Sequence, residues 1–342
     1  MRLREAEAPS PGEGEAVLAV SRFALTTNNV TYAVFGDAMS YWQFFPADEG
    51  WGRVPVWGFA DVVASEADGI APGARVYGYL PMSTYVLVRP SAVADGSFVD
   101  ASGHRATLPP VYNQYQAVHG AVAADEQLRA LFQPLFGTSF LLDDWLDEHG
   151  RFGAERVVIA SASSKTALGL AYLLAQRGGV EVVGLTSTAN ADFVARVGYY
   201  DLVAPYDAVG SLPRGPATVF VDMGGGGNVL ASVHHHLADS LTSSCLVGAT
   251  HWEETARSTA PDLPGPSPSF FFAPDRVTKR RAEWGPGGLE SRLAGAQRSF
   301  LASVAGWLRV DERVGLEAAE EMWIALVDGG VPPDVGYVVA LP

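Results

Sequence analysis

Residues 157–179 read VVIASASSKTALGLAYLLAQRGG, and their interpretation decides the fold. Val157-Val158-Ile159-Ala160 is a continuous apolar run, as a strand covered on both faces requires. Thr166 to Arg177 reads as a helix, stopped by Gly178-Gly179 where a C′ position favours glycine. The unit then repeats. Val180 to Leu185 reads as a second strand, Asn190 as the cap of a helix through Val197, Gly198 as its C′ residue, and Leu202-Val203 as a weak strand. Thr218 to Asp222 is another buried strand, followed by Gly224-Gly225-Gly226-Gly227, a helix over Val229 to Ala238 and a strand near Leu246-Val247. This alternation predicts an α/β fold with a Rossmann-type, doubly wound parallel sheet.

Upstream the period changes. Ala16–Val20, Val54–Trp57, Asp61–Ala64, Arg75–Tyr79 and Tyr85–Val88 are short β-type runs separated by turn residues such as Pro72-Gly73. A β-rich domain therefore precedes the parallel sheet, with a junction near Val111 to Thr138. After a helical stretch from Gly315 to Val327, Gly336 to Leu341 is a lone strand that has to join a sheet already made. The expected organisation is a β-rich domain over 1–125, completed by 305–342, and a Rossmann-like nucleotide-binding domain over 126–304. Pro261 to Pro274 reads as a loop.

The 342 residues are 48% hydrophobic and 18% charged, the composition of a folded globular protein. Lys+Arg 23 against Asp+Glu 38 gives a net charge of −15, and the one basic run, Lys279-Arg280-Arg281, is too short for a phosphate-backbone footprint. Nucleic acid is thus not expected as a partner. The single cysteine, Cys245, has no partner for an internal disulfide and no zinc-type spacing around it, which fits a reducing cytoplasm. Met1-Arg2-Leu3-Arg4-Glu5 leads into Pro and Glu, and no apolar run reaches ~18 residues, so neither a secretory signal nor a membrane span is expected.

Seven segments in this order resemble one known superfamily. They are Ala24 to Val30 before Gly36, Val54-Pro55-Val56-Trp57-Gly58, Gly73 to Gly78, Thr138-Ser139-Phe140, Val157 to Ala175, Val182 to Ser187, and Gly336 to Leu341. Over nearly the whole chain they are similar to medium-chain dehydrogenases/reductases, in the zinc-independent, quinone-oxidoreductase-like branch. The resemblance implies a GroES-like β-rich domain beside the Rossmann-type domain, a nicotinamide cofactor, and a homodimer formed through edge strands. Zinc-holding relatives use a Cys near the amino-terminal motif, a His-Glu pair after the position of Gly58 and a later Cys. None is present here, so no metal is expected. His234-His235-His236 cannot converge on one ion, because successive helical side chains diverge by about 100°. They read as a solvated helix face.

Relatives carry glycines in the phosphate loop, whereas here Ser164, Lys165 and Ala167 stand at those positions. Ser163, Ser164, Lys165 and Thr166 are the candidates for pyrophosphate contact, with Lys165 as a mobile point charge. The competing reading is a capped helix start that binds nothing. A P-loop is set aside, since both of its glycines are missing. After the next strand, Thr186-Ser187-Thr188-Ala189-Asn190 has no carboxylate for two ribose hydroxyls, which favours NADP (NADPH) over NAD and makes Thr186, Ser187 and Asn190 candidates. A polar turn that only caps the next helix is the alternative.

By resemblance, Tyr206 lies near the adenine and Thr138 flanks the nicotinamide. Gly224 and Gly225 permit close approach of backbone to ligand. Asn28, or Asn29 if the alignment slips by one, matches a polar residue near the nicotinamide. Tyr32 and Tyr41 are phenol donors on the same segment, with Tyr32 the first choice as proton donor. Tyr41-Trp42-Gln43-Phe44-Phe45, Trp51, Trp57 and Tyr112-Asn113-Gln114-Tyr115 either line a pocket for a flat, apolar or aromatic small molecule or form a core. Lys279-Arg280-Arg281 either binds an anionic tail or is solvated. The expected activity is NADPH-dependent, zinc-independent reduction of an activated double bond in an α,β-unsaturated carbonyl, enoyl thioester or quinone. Two alternatives stand beside it: a non-redox lyase, isomerase or dehydratase on the same scaffold, and a non-catalytic binding protein.

Overall fold

The computed structural model describes residues 1–120, 123–224, 227–247 and 263–342. The chain runs β1 (Ala16–Leu25), α1 (Thr27–Val34), β2 (Pro55–Ser65), β3 (Arg75–Pro81), β4 (Tyr85–Val88), β5 (Pro90–Ala94), β6 (Ser97–Asp100), β7 (Gln114–Ala117) and α2 (Ala123–Glu148). It continues with β8 (Arg156–Ala160), α3 (Lys165–Arg177), β9 (Glu181–Thr186), α4 (Thr188–Val197), β10 (Leu202–Pro205), β11 (Thr218–Asp222), α5 (Gly227–Leu237) and β12 (Leu241–Leu246). The last elements are β13 (Ser269–Phe270), α6 (Ala273–Trp284), α7 (Gly288–Val304), β14 (Arg309–Val314), α8 (Leu316–Val327) and β15 (Val335–Ala340). Two compact units result, Met1–Pro134 with Leu308–Pro342, and Leu135–Trp307. The fold is α/β, with a GroES-like β-rich part and a Rossmann-type part.

In the first unit the described residues form a nine-stranded sheet in the order β14-β15-β1-β2-β3-β7-β6-β5, with β4 also against β1. β15 pairs antiparallel with β1, placing Phe23 opposite Val339. The sequence runs Val54–Trp57 and Asp61–Ala64 are one strand, because Gly58 continues β2 instead of breaking it. A register shift between Val20 and Arg22 in β1 brings the Arg22 carbonyl over this residue. A Cβ at Gly58 would lie 2.2 Å from that oxygen and 2.8 Å from the Phe23 Cα. Gly58→Ala is therefore expected to destabilise the protein by about 2–3 kcal/mol, measured as a lower urea midpoint with unchanged slope.

The helix α2 is not evident in the sequence pattern, since Pro134 sits inside it. Proline removes one helical hydrogen bond. Buried Leu131, Phe132, Leu135, Phe136, Leu142 and Leu146 recur at helical spacing on either side and outweigh that loss.

In the second unit six strands are parallel in the order β10-β9-β8-β11-β12-β13. Alternate residues of each strand enter different cores: Val157, Ile159, Val219 and Val221 pack with Leu142, Leu170 and Leu174. Val158, Ala160 and Phe220 pack with Leu230, Val233 and Leu237 on the other face. Both faces are covered, which accounts for the continuous apolar runs.

Several expectations are corrected here. Ser187, not Asn190, occupies the cap position of α4, and the Asn190 side chain instead reaches back to Ser163. The strand near Leu246 begins at Leu241, its start hidden by Thr242, Ser243 and Ser244. His234 is not solvated: it is fully buried, with Nδ1 2.9 Å from the Pro264 carbonyl and Nε2 2.8 Å from the Ser244 hydroxyl. A neutral ring satisfies both partners, and burial pushes its pKa down. Pro274 belongs to the first turn of α6, where proline is favoured, so the loop ends earlier than expected. Pro261 lies outside the described residues.

Each side chain of the Lys279-Arg280-Arg281 run is paired within the chain, Arg280 in a buried position and Lys279 and Arg281 with partly exposed side chains. Lys279 meets Glu148 at 2.6 Å, Arg280 meets Asp144 at 2.6 Å and Arg281 meets Glu290 at 2.7 Å. Lys279, then Arg276, hold the Glu148 carboxyl down to about 2.

Candidate functional site

In the second unit, β8 ends at Ala160 and the chain turns through Ser161, which adopts φ 55°, a left-handed value costly for any residue but glycine. The Ser161 N–H donates to the Tyr206 hydroxyl at 3.2 Å, and the Ala162 N–H donates to the Leu185 carbonyl at 2.9 Å. Gly184 makes this approach possible: a Cβ there would stand 2.9 Å from the Ala162 Cβ and 2.9 Å from the Tyr200 ring. Ser164 caps α3, its hydroxyl accepting the Ala167 N–H at 3.2 Å. The side chains at Ser164, Lys165 and Ala167 thus sit in ordinary cap and helix positions. The strained turn falls at Ser161 instead, so the loop keeps a tight shape without its glycines.

Three candidates converge beside this turn. The Ser163 hydroxyl accepts a bond from Asn190 Nδ2 at 3.1 Å and a longer one from Thr186 Oγ1 at 3.4 Å. With two donors arriving at its oxygen, the Ser163 proton is left to point at a third group, an acceptor. Thr186 is buried at the carboxyl end of β9, and Ser187 follows it as the α4 cap. Lys165 and Thr166 open α3, whose dipole favours an anion at this end. The Thr166 carbonyl accepts the Ser139 hydroxyl at 2.7 Å, which anchors α3 to α2 next to Thr138. Gly224 adopts φ 118° after β11, and its N–H donates to Asp222 Oδ1 at 3.0 Å. Gly225 lies outside the described residues.

In the first unit, Tyr32 on α1 is 4% exposed, and its hydroxyl accepts the Trp57 indole N–H at 3.2 Å. Burial, then the neighbouring Tyr41, raise its pKa above the ordinary phenol value, while bonds from Trp57 and Asn28 oppose the rise. Burial also raises Tyr41, which hydrogen-bonds Tyr112. Asn29 has a different task. Its Oδ1 accepts the Thr26 N–H at 2.7 Å and its Nδ2 donates to the Pro55 carbonyl at 2.9 Å, fixing the start of α1. Asn28 is therefore the residue of this pair that faces the phenol.

Most of the aromatic residues pack into one buried cluster. Tyr32 and Tyr41 ring centroids lie 4.7 Å apart, and Tyr79 lies 4.8 Å from Tyr112, 5.1 Å from Trp57 and 5.3 Å from Phe44. Trp51 is 42% exposed with Arg4 over its ring, outside this cluster. Tyr115 is core, its hydroxyl donating to the Tyr79 carbonyl at 2.8 Å. Tyr79 is the residue that sequence reasoning overlooked. The available signal was Tyr77-Gly78-Tyr79, which puts two phenols on one face of β3. Arg105 was overlooked as well: it is buried, 3.1 Å from Asp100, and stacks over Phe45 at 4.7 Å.

Among the described residues no group of three or more His, Cys, Asp or Glu side chains is arranged to hold a metal, and no helix is long and apolar enough to cross a membrane. Burial pushes the Cys245 thiol up to about 12, which removes it as a nucleophile.

A family model described as "Protein of unknown function (DUF2855)" matches residues 23–332. The chain belongs to the DUF2855 family. No curated protein sequence matches it. Solved structures share its fold. CurA from Vibrio vulnificus in complex with NADPH superposes with a TM-score of 0.63 at 16% identity, covering 100% of this chain and 94% of that one. The yhdH oxidoreductase from Salmonella enterica in complex with NADP gives 0.55 at 15% identity, covering 100% and 95%. The CurK enoyl reductase gives 0.58 at 15%, covering 99% and 94%. At these identities the likeness is one of fold. In this DUF2855 chain the turn after β8 carries Ser161 at positive φ and is flanked by Ser163, Thr186 and Asn190.

Proposed function

We propose that this DUF2855 chain is an NADPH-dependent, zinc-independent reductase of an activated double bond: an α,β-unsaturated carbonyl, enoyl thioester or quinone. The observation that carries the reading is the Ser163 hydroxyl, which takes donors from Asn190 and Thr186 and so offers its own proton outward at the start of α3. That donor set, with Lys165 and the α3 dipole, fits a phosphate-bearing ligand. A 2′-phosphate has only acceptors, so it is matched by hydroxyl and amide donors where two ribose hydroxyls need a carboxylate. Structures of the same fold solved with NADPH or NADP support the choice.

In this reading Ser163, Ser164, Lys165, Thr166, Thr186, Ser187 and Asn190 hold the phosphates and ribose, Tyr206 lies by the adenine, Thr138 flanks the nicotinamide, and Gly224 gives close backbone approach to the cofactor or substrate. Bound NADPH supplies a hydride to the electrophilic carbon of the substrate. Tyr32 supplies the proton. Trp57 and Asn28 occupy the acceptor side of its oxygen and orient its O–H, and burial keeps it protonated at neutral pH. Tyr41 and the rings around it hold the apolar part of the substrate. We also infer a cytoplasmic homodimer, the compartment in keeping with the single buried cysteine and the dimer resting on the family resemblance.

The test is consumption of reduced nicotinamide by the purified protein with a panel of enones and quinones. NADPH oxidation at least tenfold faster than NADH oxidation with one of these acceptors is expected. Absence of nicotinamide oxidation across the panel, with substrate converted when no nucleotide is added, would assign the lyase or isomerase alternative instead.

A further inference from the structure

Strand β14, Arg309–Val314, ends the nine-stranded sheet and pairs, among the described residues, on one side only, parallel to β15. The pairing is unbroken from Arg309 opposite Val335 to Val314 opposite Ala340. The other sheet ends are blunted: β5 opens on Pro90 and carries a register shift with Ala92 at φ 49°, β10 is four residues closing in Pro205, and β13 is two residues. β14 has neither proline nor bulge, and Val314 at its end is 71% exposed. The Arg309 N–H donates to the Asp334 carbonyl and the Gly315 N–H to the Ala340 carbonyl, so the odd-numbered residues bond inward to β15. Val310, Glu312 and Val314 therefore turn their N–H and C=O groups to the open edge.

We propose that β14 is a dimer contact, joining a second copy of this chain antiparallel across a two-fold axis through Glu312. The proposal rests on the homodimer reading above and names its surface, which belongs to the first unit and not to the parallel sheet of the second. An axis at Glu312 sets the outward-facing residues opposite one another, Val310 against the partner's Val314 and Glu312 against its own copy. Every outward N–H of the strand then finds a carbonyl. On the other face the same register sets Asp311 against the partner's Arg313, twice per dimer. Charges on an edge strand ordinarily guard it against pairing. Here their order is self-complementary, whereas an axis at Asp311 would oppose Asp311 to itself and Arg309 to Arg313. Within one chain Asp311 and Arg313 already meet at 3.0 Å, so pairing exchanges one opposite charge for another. Glu312 is the one like-charged contact, and it is compensated by Arg22 Nε at 3.0 Å and the Gln127 amide at 2.7 Å.

The test is sedimentation velocity of the full-length protein at micromolar concentration. Wild type is expected to sediment as a dimer. Val314→Pro removes only an outward N–H, leaves the β15 ladder intact and is expected to give a folded monomer. Arg313→Asp and Asp311→Arg each turn both cross-strand pairs from attractive to repulsive, and each is expected to raise the dimer dissociation constant about tenfold. The double variant Asp311→Arg with Arg313→Asp restores opposite charges and is expected to return to within about threefold of wild type. A merely structural role for these side chains would not produce that recovery. A monomeric wild type overturns both the contact and the homodimer. A dimer that survives Val314→Pro and both single charge reversals overturns the contact and leaves the homodimer standing. A double variant no tighter than the single ones overturns the register, and the contact with it.

Discussion

Tyr32→Phe is expected to lower kcat about a hundredfold, the usual loss when a positioned proton donor is removed. KM for NADPH and the melting temperature should stay close to wild type. The ring contacts with Tyr41 and Tyr79 survive the change, and what is lost is the acceptor for the Trp57 indole N–H and for Asn28. The pH profile gives an independent check. Burial holds the Tyr32 pKa well above 10, so the folded group stays protonated where an ordinary phenol begins to ionise. The acid form is the competent one, and kcat should therefore show no alkaline fall up to about pH 10. A fall centred on the ordinary phenol value would assign the proton to a more exposed group. Full kcat in Tyr32→Phe would do the same.

Lys165→Glu is expected to raise the dissociation constant for NADPH about 10–100-fold, since it turns a cation at the start of α3 into an anion facing phosphate. Lys165→Met should cost less, about threefold to tenfold, because it removes attraction without adding repulsion. The difference between the two should shrink as salt is raised, with the side chain partly exposed and open to screening. Isothermal titration of both variants at low and high salt measures this. Equal affinities for wild type and Lys165→Glu at low salt would take Lys165 out of the site.

Much of the fold is legible in the chain because period reports burial. Val157 to Ala160 and Thr218 to Asp222 are apolar throughout, since helices cover both faces of the parallel sheet. The long helix α2 is not legible: a proline at its centre reads as a stop, and only the packing of Phe132 and Phe136 shows why the helix continues. His234 misleads for a related reason. Three consecutive histidines look like a wet surface, and nothing local reveals that Pro264 and Ser244 wait for the middle of a buried helix face.

Legibility of the site divides along the same line. Ser163, Thr186 and Asn190 were readable as polar residues at the ends of two strands, but the direction of their hydrogen bonds was not. That direction decides whether Ser163 offers a proton or a lone pair. The Asn28 and Asn29 alternatives could not be separated by spacing, whereas the Thr26 and Pro55 bonds of Asn29 separate them at once. Tyr79 stayed hidden because a tyrosine in a buried strand reads as core. Its missing partner is a property of three dimensions only.

The central claim is that the glycine-poor loop from Ser161 to Ala167 still holds a phosphorylated dinucleotide. It is tested most directly by titrating the purified full-length protein with NADPH, NADP, NADH and NAD while following tryptophan fluorescence and melting temperature. Saturable binding is predicted, with the two 2′-phosphorylated forms at least tenfold tighter than their counterparts. Absence of binding by all four at millimolar concentration, or preference for NADH, would contradict it.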